Sequence, residues 1–199
     1  ILIAIAMAVL YVVITFPPVM AGMAAKTICS CVYVSGRTLN SVVEKELQVF
    51  PGLANATITF DETDSMVTAK VLWRKSTAIY RKGLGCTLLA TRTEDEIRRQ
   101  PITLPPSPAI NQDSLWWPMG DKTDSVLLPK VKNDVINLAL EEAFAEKDAK
   151  KAVHTHAIVV VYDGQIIGEK YAPGFDKHSK LMGWSMAKSI TNALVGVLV

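Results

Sequence analysis

The residues with the most pointed chemistry are Gly183-Trp184-Ser185-Met186-Ala187-Lys188-Ser189, which hold the only Ser-x-x-Lys pair in the chain. A serine hydroxyl is a weak nucleophile until a base takes its proton. Lysine can serve as that base, or assist one, where burial or a cationic neighbour disfavours its charged form. On a helix, positions i and i+3 share a face, so the Lys188 amine can reach the Ser185 hydroxyl. Residues 190–199 are almost wholly apolar. They favour a helix that begins near Ser185, and they are expected to sink it into a core and desolvate the amine. A helix start also carries unpaired backbone N–H groups, and that of Ser185 can stabilise an oxyanion. The competing reading is a polar helix start whose lysine snorkels to solvent, with no chemistry.

The elements that must position this pair precede it. Val131, Val135, Leu138, Ala139 and Ala143 fall on one stripe of a helix after Pro129, and Glu146 and Lys150 form an i,i+4 pair on its outer face. Residues 157–162 read as a buried β-branched strand, Asp163-Gly164 as a two-residue hairpin turn, and 165–171 as the antiparallel return. Helix, hairpin, loop and helix in that order make an α+β layout, an antiparallel sheet flanked by helices. His154 and His156 would share a strand face. No third ligand follows at a recognisable spacing, so they read as polar residues at a junction.

Upstream, residues 101–128 are a Pro-rich connector. Trp116-Trp117 pins it to a neighbouring surface or, in a sharper reading, forms a ligand-binding aromatic pair. Residues 26–100 read as a small mixed α/β module. Ser41-Val42-Val43-Glu44 has capping-box spacing for a short helix ending before Pro51-Gly52. Strands are expected over 57–60, 66–73, 76–81 and 86–90.

Residues 1–25 carry no charge, and the apolar core of that stretch ends at Pro17-Pro18. About 20 apolar residues span a bilayer as a helix. The segment is a transmembrane anchor or a signal sequence, Gly22-Met23-Ala24 offering small residues for cleavage; a buried core helix is the alternative. Cys29, Cys31 and Cys86 leave an odd thiol. A Cys29–Cys86 disulfide would suit an oxidising compartment and close a long loop. Cys29–Cys31 is disfavoured by geometry, and three free buried thiols remain open. With 21 Lys and Arg against 19 Asp and Glu, the net charge of +2 leaves no footprint for nucleic acid.

From about Val131 to Val199 the chain resembles the serine β-lactamase and penicillin-binding-protein superfamily. It is most similar to class C-like members, the β-lactamase-related esterases and 6-aminohexanoate-oligomer hydrolases. The likeness is carried by His156 to Gly164, Ile166 to Tyr171, and Trp184-Ser185-Met186-Ala187-Lys188-Ser189. Ala25 to Cys31, Ser35-Gly36-Arg37 and Gly83-Leu84-Gly85-Cys86-Thr87 look like the N-terminal extension of membrane-anchored bacterial members. The resemblance implies a β-lactamase/transpeptidase-like fold starting at residue 129. Ser185 would be the acylated nucleophile and Lys188 its proton-transfer partner. The substrate would be a small-molecule amide, lactam or ester. The protein would be anchored in the inner membrane and periplasmic, or exported. It would need no metal or organic cofactor.

The family pattern has two further parts, Tyr-x-Asn or Ser-Asp-Asn and Lys-Thr-Gly or His-x-Gly, and neither occurs here. Both normally lie C-terminal to the serine. The chain is therefore expected to be an N-terminal fragment of a longer parent, and inactive alone. The rival function is a non-catalytic, penicillin-recognising-type binding module tethered to the membrane.

Overall fold

The computed structural model describes residues 2–199 apart from 51, 105, 107–108, 124–131 and 149–150. It is an α+β structure with antiparallel sheets and a long apolar N-terminal helix. The chain divides into two compact units, residues 1–104 with 180–199, and residues 105–179.

The first unit is built on α1, Leu2–Cys29, continued by a π-helical turn over Ser30–Val34. Its two halves live in different surroundings. From Leu2 to Phe16 the side chains are exposed, Thr15 alone being half-buried. From Met20 to Cys29 the helix supplies much of the core, with Ala21, Ala24, Ala25 and Ile28 fully buried. The apolar run ends at Pro17-Pro18 but the helix does not, because both prolines lie inside it. Each removes a backbone N–H and crowds the carbonyl four residues back, which weakens a helix by about 3 kcal/mol. Packing of the following turns against a sheet outweighs that cost. The Thr15 hydroxyl also occupies the Tyr11 carbonyl at 2.7 Å.

That sheet is an antiparallel meander of β1 Thr57–Asp61, β2 Met66–Val71, β3 Arg74–Arg81 and β4 Gly85–Leu88. On β2, Val67, Ala69 and Val71 alternate into the core shared with α1. Thr68 faces the other way and bonds Thr77 across the strands at 2.8 Å. Small residues on the helix let it lie close: a methyl group at Gly22 would sit 3.5 Å from Leu88 Cδ1. The Cys29–Cys86 disulfide ties the end of α1 to β4, with Cα atoms 6.0 Å apart, and Cys31 is a free buried thiol. The Lys26 ammonium donates to the Cys86 carbonyl on the same strand. The Tyr33 ring stacks between Phe60 and Tyr80, at centroid distances of 5.5 and 5.4 Å.

Two local readings change. β2 stops at Val71 and turns at Leu72-Trp73, with Leu72 left-handed at φ 54°. No Gly or Asn marks this turn, so residues 66–73 read as one strand. The short helix α2, Leu39–Lys45, is capped by Thr38, which accepts from the Ser41 N–H at 3.3 Å. Ser41 is instead engaged by the Arg37 guanidinium at 3.0 Å. A true capping box, unread in the sequence, starts α3, Glu94–Arg98, where Thr93 and Glu96 satisfy each other's backbone N–H.

The second unit holds α4, Asn133–Phe144, and the hairpin of β5, Ala157–Tyr162, and β6, Gln165–Tyr171. The hairpin lies where the sequence put it, with Asp163 at φ 49° and Gly164 at φ 73°. The face of α4 does not. Val135 and Leu138 are exposed, at 53% and 63%, while Leu140 is buried. The packed row is Ile136 and Leu140, which meet β6 at Gly168. The face that packs is thus the one carrying the i,i+4 pair Ile136 and Leu140, not the stripe through Val135, Leu138, Ala139 and Ala143. Val131 and Lys150 lie outside the described residues. Glu146 falls beyond the helix end and accepts from the Val153 and His154 N–H groups at 2.8 and 2.7 Å. Those two donors hold its carboxyl below the usual range.

Two outcomes follow from these contacts. Cys86→Ser should lower unfolding stability by about 4 kcal/mol for a closed loop of this length, with Cys29 and Cys86 separated by 57 residues. Urea melts with and without reductant measure it, and equal midpoints would refute the clamp. Gly168→Val should also destabilise, because a Cβ there lies 2.7 Å from Ile136 Cγ2, a stiff β-branched neighbour. A cost of about 1–3 kcal/mol should appear as faster amide exchange across β5 and β6.

Candidate active site

The helix that carries the Ser-x-x-Lys pair is α5, Met186–Val197, and Ser185 is its N-cap. Ser185 has helical φ and ψ of −68° and −13°, and its hydroxyl makes no capping bond. That oxygen is therefore available to Lys188, whose Nζ donates to Ser185 Oγ at 3.0 Å. The helix itself sets this distance, since the Lys188 N–H bonds the Ser185 carbonyl at 3.1 Å and stacks the two side chains one turn apart. Two backbone bonds lead into the turn, Met186 N–H to Gly183 O at 2.8 Å and Ala187 N–H to Trp184 O at 3.2 Å. No backbone carbonyl among the described residues takes the Ser185 N–H.

Trp184 makes the corner. It is left-handed at φ 42°, a conformation that costs a bulky residue about 1–3 kcal/mol. Its ring lies 6.3 Å from that of Phe50, tilted by 55°. The sequence offers glycine one position earlier, at Gly183, and gave no sign that Trp184 would take the strained corner.

One part of the expectation is corrected. The helix does not sink into a core: no residue of α5 is buried. Ile190 and Leu194 are 64% and 63% exposed, and Ser185 and Lys188 are exposed with them. An apolar stripe desolvates its neighbours only when another element covers it, and no described element covers this one. The hydroxyl and amine are thus brought together by local geometry, in a solvated setting.

The other singled-out residues divide differently. Trp117 Nε1 donates to the Gly164 carbonyl at 2.9 Å, pinning the connector to the hairpin turn. The Lys122 ammonium sits 4.1 Å over the Trp116 ring. His156 stacks on Phe175 at 4.4 Å, and His154 is left-handed at φ 54° where the chain enters β5. Among the described residues no cluster of three His, Cys, Asp or Glu side chains could hold a metal ion.

Comparison with protein-family models, curated proteins and solved structures returned no match to this chain.

The corner can be tested apart from chemistry. Trp184→Ala and Trp184→Gly lose the same ring contact, but only glycine tolerates the left-handed backbone freely. The glycine variant should protect α5 amides from exchange about fivefold more than the alanine variant, a difference of about 1 kcal/mol. Equal protection would show that the corner carries no strain.

Proposed function

We propose that this chain carries the nucleophile-bearing part of a β-lactamase-related serine hydrolase held at a membrane. The observation that carries the reading is the 3.0 Å bond between Lys188 Nζ and Ser185 Oγ at the first turn of α5. A Ser-x-x-Lys pair is common by chance; here the hydroxyl makes no capping bond and the amine rests on it. The order of α4, hairpin and α5 supports the reading, as does the resemblance carried by residues 156–171 and 184–189.

In this reading Ser185 Oγ attacks the carbonyl carbon of an amide, lactam or ester, and its proton passes to the Lys188 amine. The carbonyl oxygen becomes an oxyanion, for which the Ser185 N–H is one donor. Collapse expels the amine or alcohol, which takes up a proton, and leaves an ester on Ser185. Water then attacks that ester, releases the acid and restores the hydroxyl. Lysine accepts the proton only when its ammonium form is disfavoured, so the scheme requires the α5 face to be covered during turnover. The apolar, exposed row through Ile190 and Leu194 is the surface that such a cover would bury.

The N-terminal helix is compatible with a membrane anchor or a signal sequence, being long and apolar enough to cross a bilayer. In the proposed protein it is the anchor, and the hydrolase faces the periplasm.

A fluorophosphonate or penicillin probe on the intact protein tests the reaction. Mass spectrometry should find the adduct on the Ser185 peptide. Ser185→Ala should abolish it, and Lys188→Met should slow acylation by at least about a hundredfold. A folded protein with no adduct, and with ligand binding unaffected by Ser185→Ala, would establish the tethered binding module instead.

A further inference from the structure

The first unit has two ends, set by the direction of α1 against its sheet. Ser76 Oγ bonds the Pro18 carbonyl at 3.4 Å, whereas Cys29 is joined to Cys86, the partner of Tyr80 in the β3–β4 ladder. So β3 runs alongside α1 in the same sense. The Leu72-Trp73 tip precedes Ser76 by three residues, roughly 10 Å of strand. It therefore lies on the Phe16 side of Pro18, beside the exposed apolar half of α1.

This tip is unusual. Leu72 and Trp73 are 65% and 56% exposed, and Leu72 adopts a left-handed backbone to place them there. Lys70, Arg74 and Lys75 flank them, all exposed; Lys70 pairs directly with Lys75 across the strands. Like charges opposed in this way repel, and none of the three makes an ion pair among the described residues. The acidic turn of the sheet, with Asp61, Glu62 and Asp64, closes the β1–β2 hairpin at the opposite end. At the same end as the tip, Gly52 lies against Phe16 and Met20, and the neighbouring Val49 is 62% exposed.

We infer that this end docks onto an anionic bilayer surface. Trp73 and Leu72 enter the interface beside the helix, and Lys70, Arg74 and Lys75 lie over lipid phosphates. Tryptophan suits this depth, having an apolar body and one N–H donor. Basic residues close to the membrane are drawn to negative headgroups. A single chain thus contributes both a helix into the hydrocarbon and a second foothold about it, which fixes the tilt and rotation of the sheet on the membrane. The inference rests on the reading of α1 as membrane-embedded.

The test uses the intact protein in vesicles of phosphatidylcholine mixed with phosphatidylglycerol, with a shallow doxyl-labelled lipid as quencher. Subtracting the Trp73→Phe variant isolates the Trp73 signal. Trp73 should be quenched, and changing Lys70, Arg74 or Lys75 to Gln should weaken the docking equilibrium about fivefold per cation removed. That weakening should vanish in pure phosphatidylcholine. A protein that floats with the vesicles while Trp73 escapes the quencher overturns the docking and leaves the membrane helix standing. Shielding of Trp73 that depends on protein density, not on labelled lipid, assigns the tip to a second copy and overturns it too. A protein stripped from vesicles by alkaline carbonate removes the membrane helix and the docking together.

Discussion

The structure of the first unit depends on one helix serving two environments. The Leu2–Phe16 part of α1 presents apolar side chains outward all round, while Met20 to Cys29 presents small and medium ones inward to a sheet. The two requirements conflict in side-chain size. The exposed half carries bulky Leu, Ile, Val and Tyr side chains, whereas a helix lying flat on strands favours Ala and Gly. The chain resolves this by changing composition within one continuous helix, and the change falls at Pro17-Pro18. Continuity matters mechanically, since the helix runs unbroken from Leu2 to Cys29 through both prolines. Whatever holds the apolar half therefore orients the sheet.

The remaining features of that unit work to keep the second half of the helix in place. Two prolines weaken the backbone ladder where it leaves the core, so the tertiary contacts after them must hold the helix. The Cys29–Cys86 bond, the Lys26 contact to the same strand and the Tyr33 stack all lie at the far end, closing the sheet over the last turns of α1. Arg37 adds a contact to Glu46, partly shielded from solvent, that fixes the exit from the π-helical turn.

The Ser185–Lys188 pair illustrates a different kind of economy. Its geometry needs nothing beyond a helix start: spacing of three places the amine over the hydroxyl, and the left-handed Trp184 starts the turn. Its reactivity needs much more, because reactivity depends on the dielectric around the amine. Position is local and solvation is global. A motif can therefore be well formed in distance while its electrostatic setting depends on what packs against the helix.

The amino-acid order alone determined the features that arise within a few residues. These include the β5–β6 hairpin at Asp163-Gly164, the helix start beside Ser185, the uncharged N-terminal run and the four-strand pattern between residues 57 and 90. Periodicity and turn chemistry act over one or two turns of chain, so they are legible. Only the tertiary structure decided that α1 continues through two prolines, that Cys29 pairs with Cys86 and leaves Cys31 free, and that Ile136 and Leu140 form the packed row of α4. It also put a turn at Leu72-Trp73 with no glycine to announce it. Each of these turns on a contact between residues distant in sequence, whose packing energy exceeds a local preference of a few kcal/mol, and a one-dimensional pattern does not record which distant surface will arrive.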